Sequence, residues 1–187
     1  MFSRFNLKEN STWVLKDKDG KTKKLFQENK LAIFLIKLGV LPVRFAKIPF
    51  LFGRYVSGKQ VANLITNAGL AGVASRINGS GGAAAFTYIA LGTGTTAANV
   101  TDTTLETEIT TGGGERVAAT VSLVTTDVTN DTAQLTATFT FTGSFAITES
   151  GVLNASSAGT LLARQVFSAI NVVSGDLLQV TWRFDID

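Results

Sequence analysis

The strongest constraint on this chain lies in its C-terminal half, where apolar and polar side chains alternate. "LQVTWRFDID" (178–187) sets Leu178, Val180, Trp182, Phe184 and Ile186 against Gln179, Thr181, Arg183, Asp185 and Asp187. "AQLTATFTFT" (133–142) sets Leu135, Ala137, Phe139 and Phe141 against threonines. "VAATVSLV" (117–124) places Val117, Ala119, Val121 and Leu123 on one side. Successive side chains of a strand point to opposite faces, so a period of two belongs to antiparallel sheets with one face buried. "TNDT", "NASSAG" and "VSGD" supply turns between such strands. Strands at this spacing predict a β-sandwich. With 187 residues, 45% of them hydrophobic, the chain is long enough to fill one core.

Upstream the period changes. In "GKQVANLITNAGLAGVASRI" (58–77), Val61, Leu64, Ile65, Ala68, Ala71 and Gly72 trace one face at helical spacing, which predicts a helix. "NGSGG" (78–82) ends it with residues suited to a left-handed cap. Gly69 and Gly72 predict close packing against a strand, or a break into two shorter helices. Residues 13–27, "WVLKDKDGKTKKLFQ", read as a β-hairpin around Asp19-Gly20, with Trp13, Leu15, Leu25 and Phe26 packing on one side. The apolar stretch 31–56 keeps neither period, and Gly39, Pro42, Pro49 and Gly53 interrupt it. Extended pieces are expected there, with a turn of helix near 30–38. The expected architecture is mainly β: an antiparallel β-sandwich with one N-terminal helix and an extended N-terminal arm containing a β-hairpin. Residues 1–57 form the arm and 58–187 the body.

Charge divides the chain along the same line. Through Lys59 there are thirteen Lys and Arg against four acids, a net +9; the remainder has four Arg, no Lys and ten acids, a net −6. A basic, apolar arm on an acidic body suggests docking onto a negative partner surface or onto the bodies of sister copies. Lys37, Arg44, Lys47, Phe50, Phe52 and Arg54 are the expected assembly residues, with folding of the arm over its own body as the alternative. Nucleic acid is not an expected partner, because the basic residues are interleaved with Leu, Ile and Phe and no nucleic-acid motif accompanies them. The same charges and prolines interrupt residues 31–56 well short of the roughly 20 apolar residues of a membrane span. The opening "MFSRFNLKENSTW" lacks the apolar core and small-residue cleavage site of a secretory leader.

Few groups remain for chemistry. The chain has no cysteine and no histidine, which excludes disulfides, thiolate metal sites and imidazole bases. Ser144, Ser150 and the "NASSAG" serines therefore have no base to activate them. Glu106, Glu108 and Glu115 read as solvated carboxylates, and Asp127, Asn130 and Asp131 as a hairpin turn rather than a calcium loop. Gly92, Gly94 and Ala97 match G-x-G-x-x-A, but "TTAANVTDTT" follows instead of a helix, so no dinucleotide or other cofactor is expected. The two glycines read as a structural turn at positive φ. Glu149 stands between apolar residues at a strand end. An ion pair with Arg164 or Arg116 is the sharper reading, and a solvated Glu149 the plainer one.

Three stretches in order carry a resemblance: "NLITNAGLAGVASRING", "FTYIALGTGTTAANVTDTTLETEI" and "ITESGVLNASSAGTLLARQVFSAINVVSGDLLQVTW". The chain resembles a family of small structural proteins of tailed bacteriophages. In these a strand "IALGTGTTA" precedes a "TDTxLxxE" segment and an Arg, and an "ITExGLxxA…LLAR" hairpin leads into the last strand. The last part is also similar to attachment domains of tail-fibre and collar-fibre proteins. The resemblance covers residues 63–187 and leaves the arm outside. It implies a non-enzymatic virion component whose partners are other virion proteins and copies of itself. Tail or fibre association is the first expectation and capsid decoration the second. A host-glycan-binding sandwich and a peripheral membrane protein are the rival readings from the residues.

Overall fold

The computed structural model describes residues 7–28 and 53–186. Among the described residues, thirteen strands and one helix follow in chain order: β1 (Leu7–Lys16), β2 (Thr22–Lys23), β3 (Leu25–Glu28), β4 (Gly53–Val56), β5 (Lys59–Ala62), β6 (Leu64–Ile65), α1 (Asn67–Asn78), β7 (Tyr88–Gly92), β8 (Val117–Ala118), β9 (Thr120–Val124), β10 (Thr132–Thr140), β11 (Phe145–Leu153), β12 (Leu161–Val172) and β13 (Leu177–Ile186). One sheet runs β2-β1-β13-β10-β9, with β5 also on β1; a second runs β6-β12-β11-β7-β8; β3 and β4 form a separate pair. The pairings are antiparallel.

The two sheets close on a shared core, consistent with a β-sandwich. From the larger sheet come Trp13, Leu135, Phe139, Leu178, Val180 and Trp182; from the smaller come Ile89, Leu91, Ile147, Val152 and Ile170. Trp13 and Trp182 have no exposed surface, and the Trp13 ring meets Phe167 across the sheets at 4.6 Å. Each such large side chain contributes about 2–3 kcal/mol through burial. The alternation in 133–142 and 178–187 thus faces as expected, while Ile186 at the end is half exposed.

Three expectations change. The hairpin is present, with Gly20 at φ +79 and the Asp17 carboxylate accepting from Asp19 N and Lys21 N. Its first strand, however, is no appendage: β1 pairs with β13 over ten positions and places Trp13 and Leu15 in the core. Lys23 Nζ donates to both oxygens of buried Asp176 at 2.6 and 2.7 Å, tying the hairpin to the turn before β13. The sheet therefore crosses the 57/58 boundary drawn from charge.

The helix covers 67–78 rather than 58–77. Val61, Leu64 and Ile65 lie in β5 and β6, because a segment with apolar residues three and four apart can also be split between two short strands. Thr66 marks the change: it accepts from Gly69 N at 2.9 Å as N-cap and donates to Leu161 O at 2.6 Å. Gly79, at φ +70, ends the helix. A Cβ on Gly69 would overlap the Leu162 carbonyl, so the helix lies flat on β12 only because that position lacks a side chain.

The "VAATVSLV" run is not one buried strand. It breaks at Ala119 and passes from the smaller sheet (β8) to the larger (β9), and Val121 and Leu123 are 55% and 61% exposed. They share a face with core residues but sit on the last strand in the sheet order.

Candidate functional site

The densest polar arrangement lies on the outer face of the smaller sheet, beneath the irregular segment 93–108. A register shift in the β11–β12 ladder creates it: Ile147 stands opposite Ile170, but Glu149 stands opposite Val166. Such a bulge re-aims side chains. Ile147 belongs to the main core, whereas Leu153, four pairs beyond Glu149, packs with Ala90, Leu105 and Leu161 in a second cluster. Glu149, Gly151 and Leu153 thereby face outward, and Leu105 of the segment covers them.

Glu149 is fully buried, and its carboxylate is surrounded by donors. Oε1 accepts from Gly94 N at 3.0 Å and Thr107 N at 2.7 Å. Oε2 accepts from Glu106 N at 3.0 Å and from Arg164 Nε at 2.9 Å. Arg164 Nη1 donates to Asp102 Oδ2 at 2.8 Å. Its Nη2 lies 2.8 Å from Glu149 Oε2 and 3.5 Å from Glu106 Oε2, as ionic contacts without an aligned hydrogen bond. Thr148 Oγ1 donates to Gly94 O at 2.7 Å from the same strand. One carboxylate and one guanidinium therefore clamp both ends and the middle of the segment to β11 and β12. Burial alone would lower the Arg164 pKa, but the hydrogen bonds to Asp102 and Glu149 outweigh it and hold the guanidinium above its usual range. Glu106, largely at the surface, is held below the usual carboxylate range by the Thr96 hydroxyl and N–H.

The ion pair forms with Arg164 and not with Arg116. Arg116 lies just before β8 and grips Glu108 from two nitrogens, at 2.9 and 2.7 Å. Its Nη1 donates to Ala155 O and Ala158 O, bracing the β11–β12 hairpin tip. Glu149 is directed into the 93–108 segment, away from that tip.

Gly92 and Gly94 correct a further expectation. Neither lies at positive φ. Their requirement is space: a Cβ on Gly94 would stand 2.6 Å from Glu149 Oε1, and one on Gly92 would overlap the same oxygen and Thr107 O. The chain after Gly94 forms no helix and returns to bridge Gly92 at Glu108. No helix N-terminus is therefore presented to a phosphate at this turn.

A cavity of about 330 Å³ opens beside the clamp, its wall including Thr96, Thr101, Asp102, Thr103, Glu106 and Arg164. The carboxylates around it accept from backbone N–H groups, Thr96 or Arg164, an arrangement suited to holding a loop rather than moving a proton. Asp131 has the same character: it accepts from the N–H groups of Thr126, Asp127 and Val128 and closes its own turn. Of the expected assembly residues, Arg54 lies in β4 opposite Gln27; Lys37, Arg44, Lys47, Phe50 and Phe52 lie outside the described residues. Among the described residues, no helix is long and apolar enough to cross a membrane.

The clamp was only partly visible in sequence. Asp102 falls within the "TDTxLxxE" stretch and Glu106 at one of its open positions, but nothing in that pattern joined either to Glu149. Comparison with family models, curated proteins and solved structures finds no match.

Proposed function

We propose that the chain is a non-enzymatic structural component of a tailed-phage virion, associated with the tail or its fibres and assembling through its N-terminal arm. One observation carries the reading. The motif stretches that resemble phage structural proteins, 89–97, 101–108, 147–153 and 161–164, supply the parts of a single clamp: Gly92 and Gly94, Asp102 and Glu106, Glu149, and Arg164. The stretches that carry the resemblance thus meet in space in this chain.

Charge supports the assembly route. The segment through Lys59, of net +9, and the lysine-free remainder, of net −6, are complementary in charge, and Lys23–Asp176 is a short example of that pairing within one chain. Sugar stacking uses exposed aromatic faces, and Phe139, Phe141, Phe167, Trp182 and Phe184 are buried, so the glycan reading has less support.

Mass spectrometry of gradient-purified phage particles, followed by immunogold labelling, tests the proposal. The expected result is a stoichiometric virion protein labelled at the tail. Label confined to heads selects capsid decoration instead, and absence from washed particles overturns the virion reading.

A further inference from the structure

We propose that the Asn78–Gly79 junction is a self-modification site, at which the Gly79 backbone nitrogen displaces ammonia from the Asn78 side chain. Asn78 closes α1 and Gly79 follows it at φ +70, and the sequence holds this one Asn-Gly pair. Both residues are exposed, and a Cβ on Gly79 would meet nothing within 4 Å. The nucleophile is free: among the described residues, the Gly79 N–H has no hydrogen-bond acceptor.

The electrophile is held close by. Ser80 N donates to Asn78 Oδ1 at 2.8 Å, an Asx turn that folds the side chain back over the chain that follows it. That bond also draws electrons from the side-chain carbonyl and opens its carbon to attack. Ser75 fixes the turn, its Oγ donating to Ser80 O and accepting from Ala83 N at 3.3 Å.

Two other exposed asparagines define what the site requires. Asn99 makes the same turn, with Thr101 N donating to its Oδ1 at 3.0 Å, but its successor is Val100, whose branched side chain crowds the nitrogen. Asn130 precedes Asp131, whose N–H is already given to Val128 O at 3.1 Å. Of the three, Asn78 alone combines the turn, a free N–H and a successor without a Cβ.

The reaction balances with water as its co-reactant. Hydroxide takes the Gly79 amide proton, the nitrogen bonds to Asn78 Cγ, the Cγ–Nδ2 bond breaks and ammonia leaves, giving a cyclic imide. Water then opens the imide at either carbonyl, to aspartate or isoaspartate. Each product sets a new carboxylate at a helix C-terminus, where the dipole disfavours an anion, and isoaspartate also adds a methylene to the main chain. The inference is independent of the virion reading.

The test holds full-length protein in mildly alkaline buffer, with and without urea, quenches it in acid and digests it with trypsin. Asn78 and Asn99 then fall in one peptide, Ile77–Arg116, and fragment spectra separate them. Conversion in the folded chain should be at least about tenfold faster at Asn78 than at Asn99 or Asn130, and Val100→Gly should raise the rate at Asn99. The folded-state rate at Asn78 should lie within about fivefold of that in urea, because the site sits at the open end of the helix. Stronger protection by the fold, no advantage of Asn78 over Asn99, or an unchanged Asn99 rate in Val100→Gly would each overturn the proposal.

Discussion

Gly94 donates its N–H to Glu149 Oε1 at 3.0 Å, and a methyl group on its Cα would stand 2.6 Å from that same oxygen. Backbone and carboxylate are therefore matched at a distance that only glycine permits. Gly94→Ala must displace the carboxylate or the loop, at about 1–3 kcal/mol. Limited proteolysis should then cut within 93–108 at a protease concentration that leaves the parent chain intact.

Glu149→Gln keeps the shape of the side chain but removes the charge and turns one acceptor into a donor facing N–H groups. Removing one partner of a buried pair costs about 3–5 kcal/mol. Urea denaturation should show a loss in this range. Asp102→Asn, at a carboxylate 23% exposed, should cost about 1 kcal/mol. An unchanged midpoint for Glu149→Gln would mean that the clamp contributes nothing to stability.

Gly69 and Gly72 separate two kinds of close approach. At Gly69 the obstacle to a Cβ is the backbone of Leu162; at Gly72 it is the far end of the Phe86 ring, 2.6 Å away. A ring can rotate aside, whereas a strand carbonyl in a ladder cannot. Gly69→Ala is expected to cost about 3 kcal/mol and Gly72→Ala less than about 1, partly offset by the helix preference for alanine. Paired thermal melts decide between them.

Asp131 supplies a pH test. Backbone N–H groups, that of Val128 foremost, lower its pKa from 3.8 to about 2. A depressed folded-state pKa stabilises the fold above the unfolded value and loses that effect as pH falls through the folded one. Asp131→Asn should therefore melt below the parent at pH 5–7. The gap should narrow from about pH 4 downward and close near pH 2. A gap constant across that window would refute the assignment.

The sequence made the strand faces of 133–142 and 178–187 legible, because each buries one side against a facing sheet. It also exposed the crowding at Gly69 and the pairing of Glu149 with an arginine. Other features were hidden for identifiable reasons. The 58–65 segment satisfies helical spacing and short-strand pairing equally, and only Thr66, bonded to a distant carbonyl, separates them. Val121 and Leu123 alternate like core residues, but position in the sheet order, not alternation, determines whether a strand is covered. The outward turn of Glu149 depends on a slipped register at Ile147, which leaves no compositional trace.

The pairing of β1 with β13 has a consequence for biosynthesis. β1 is made more than 150 residues before its principal partner β13, which also separates β1 from β10. Trp13 and Leu15 therefore stay unsheltered until β13 has been made, and the larger sheet closes late and slowly, through a contact of high sequence separation.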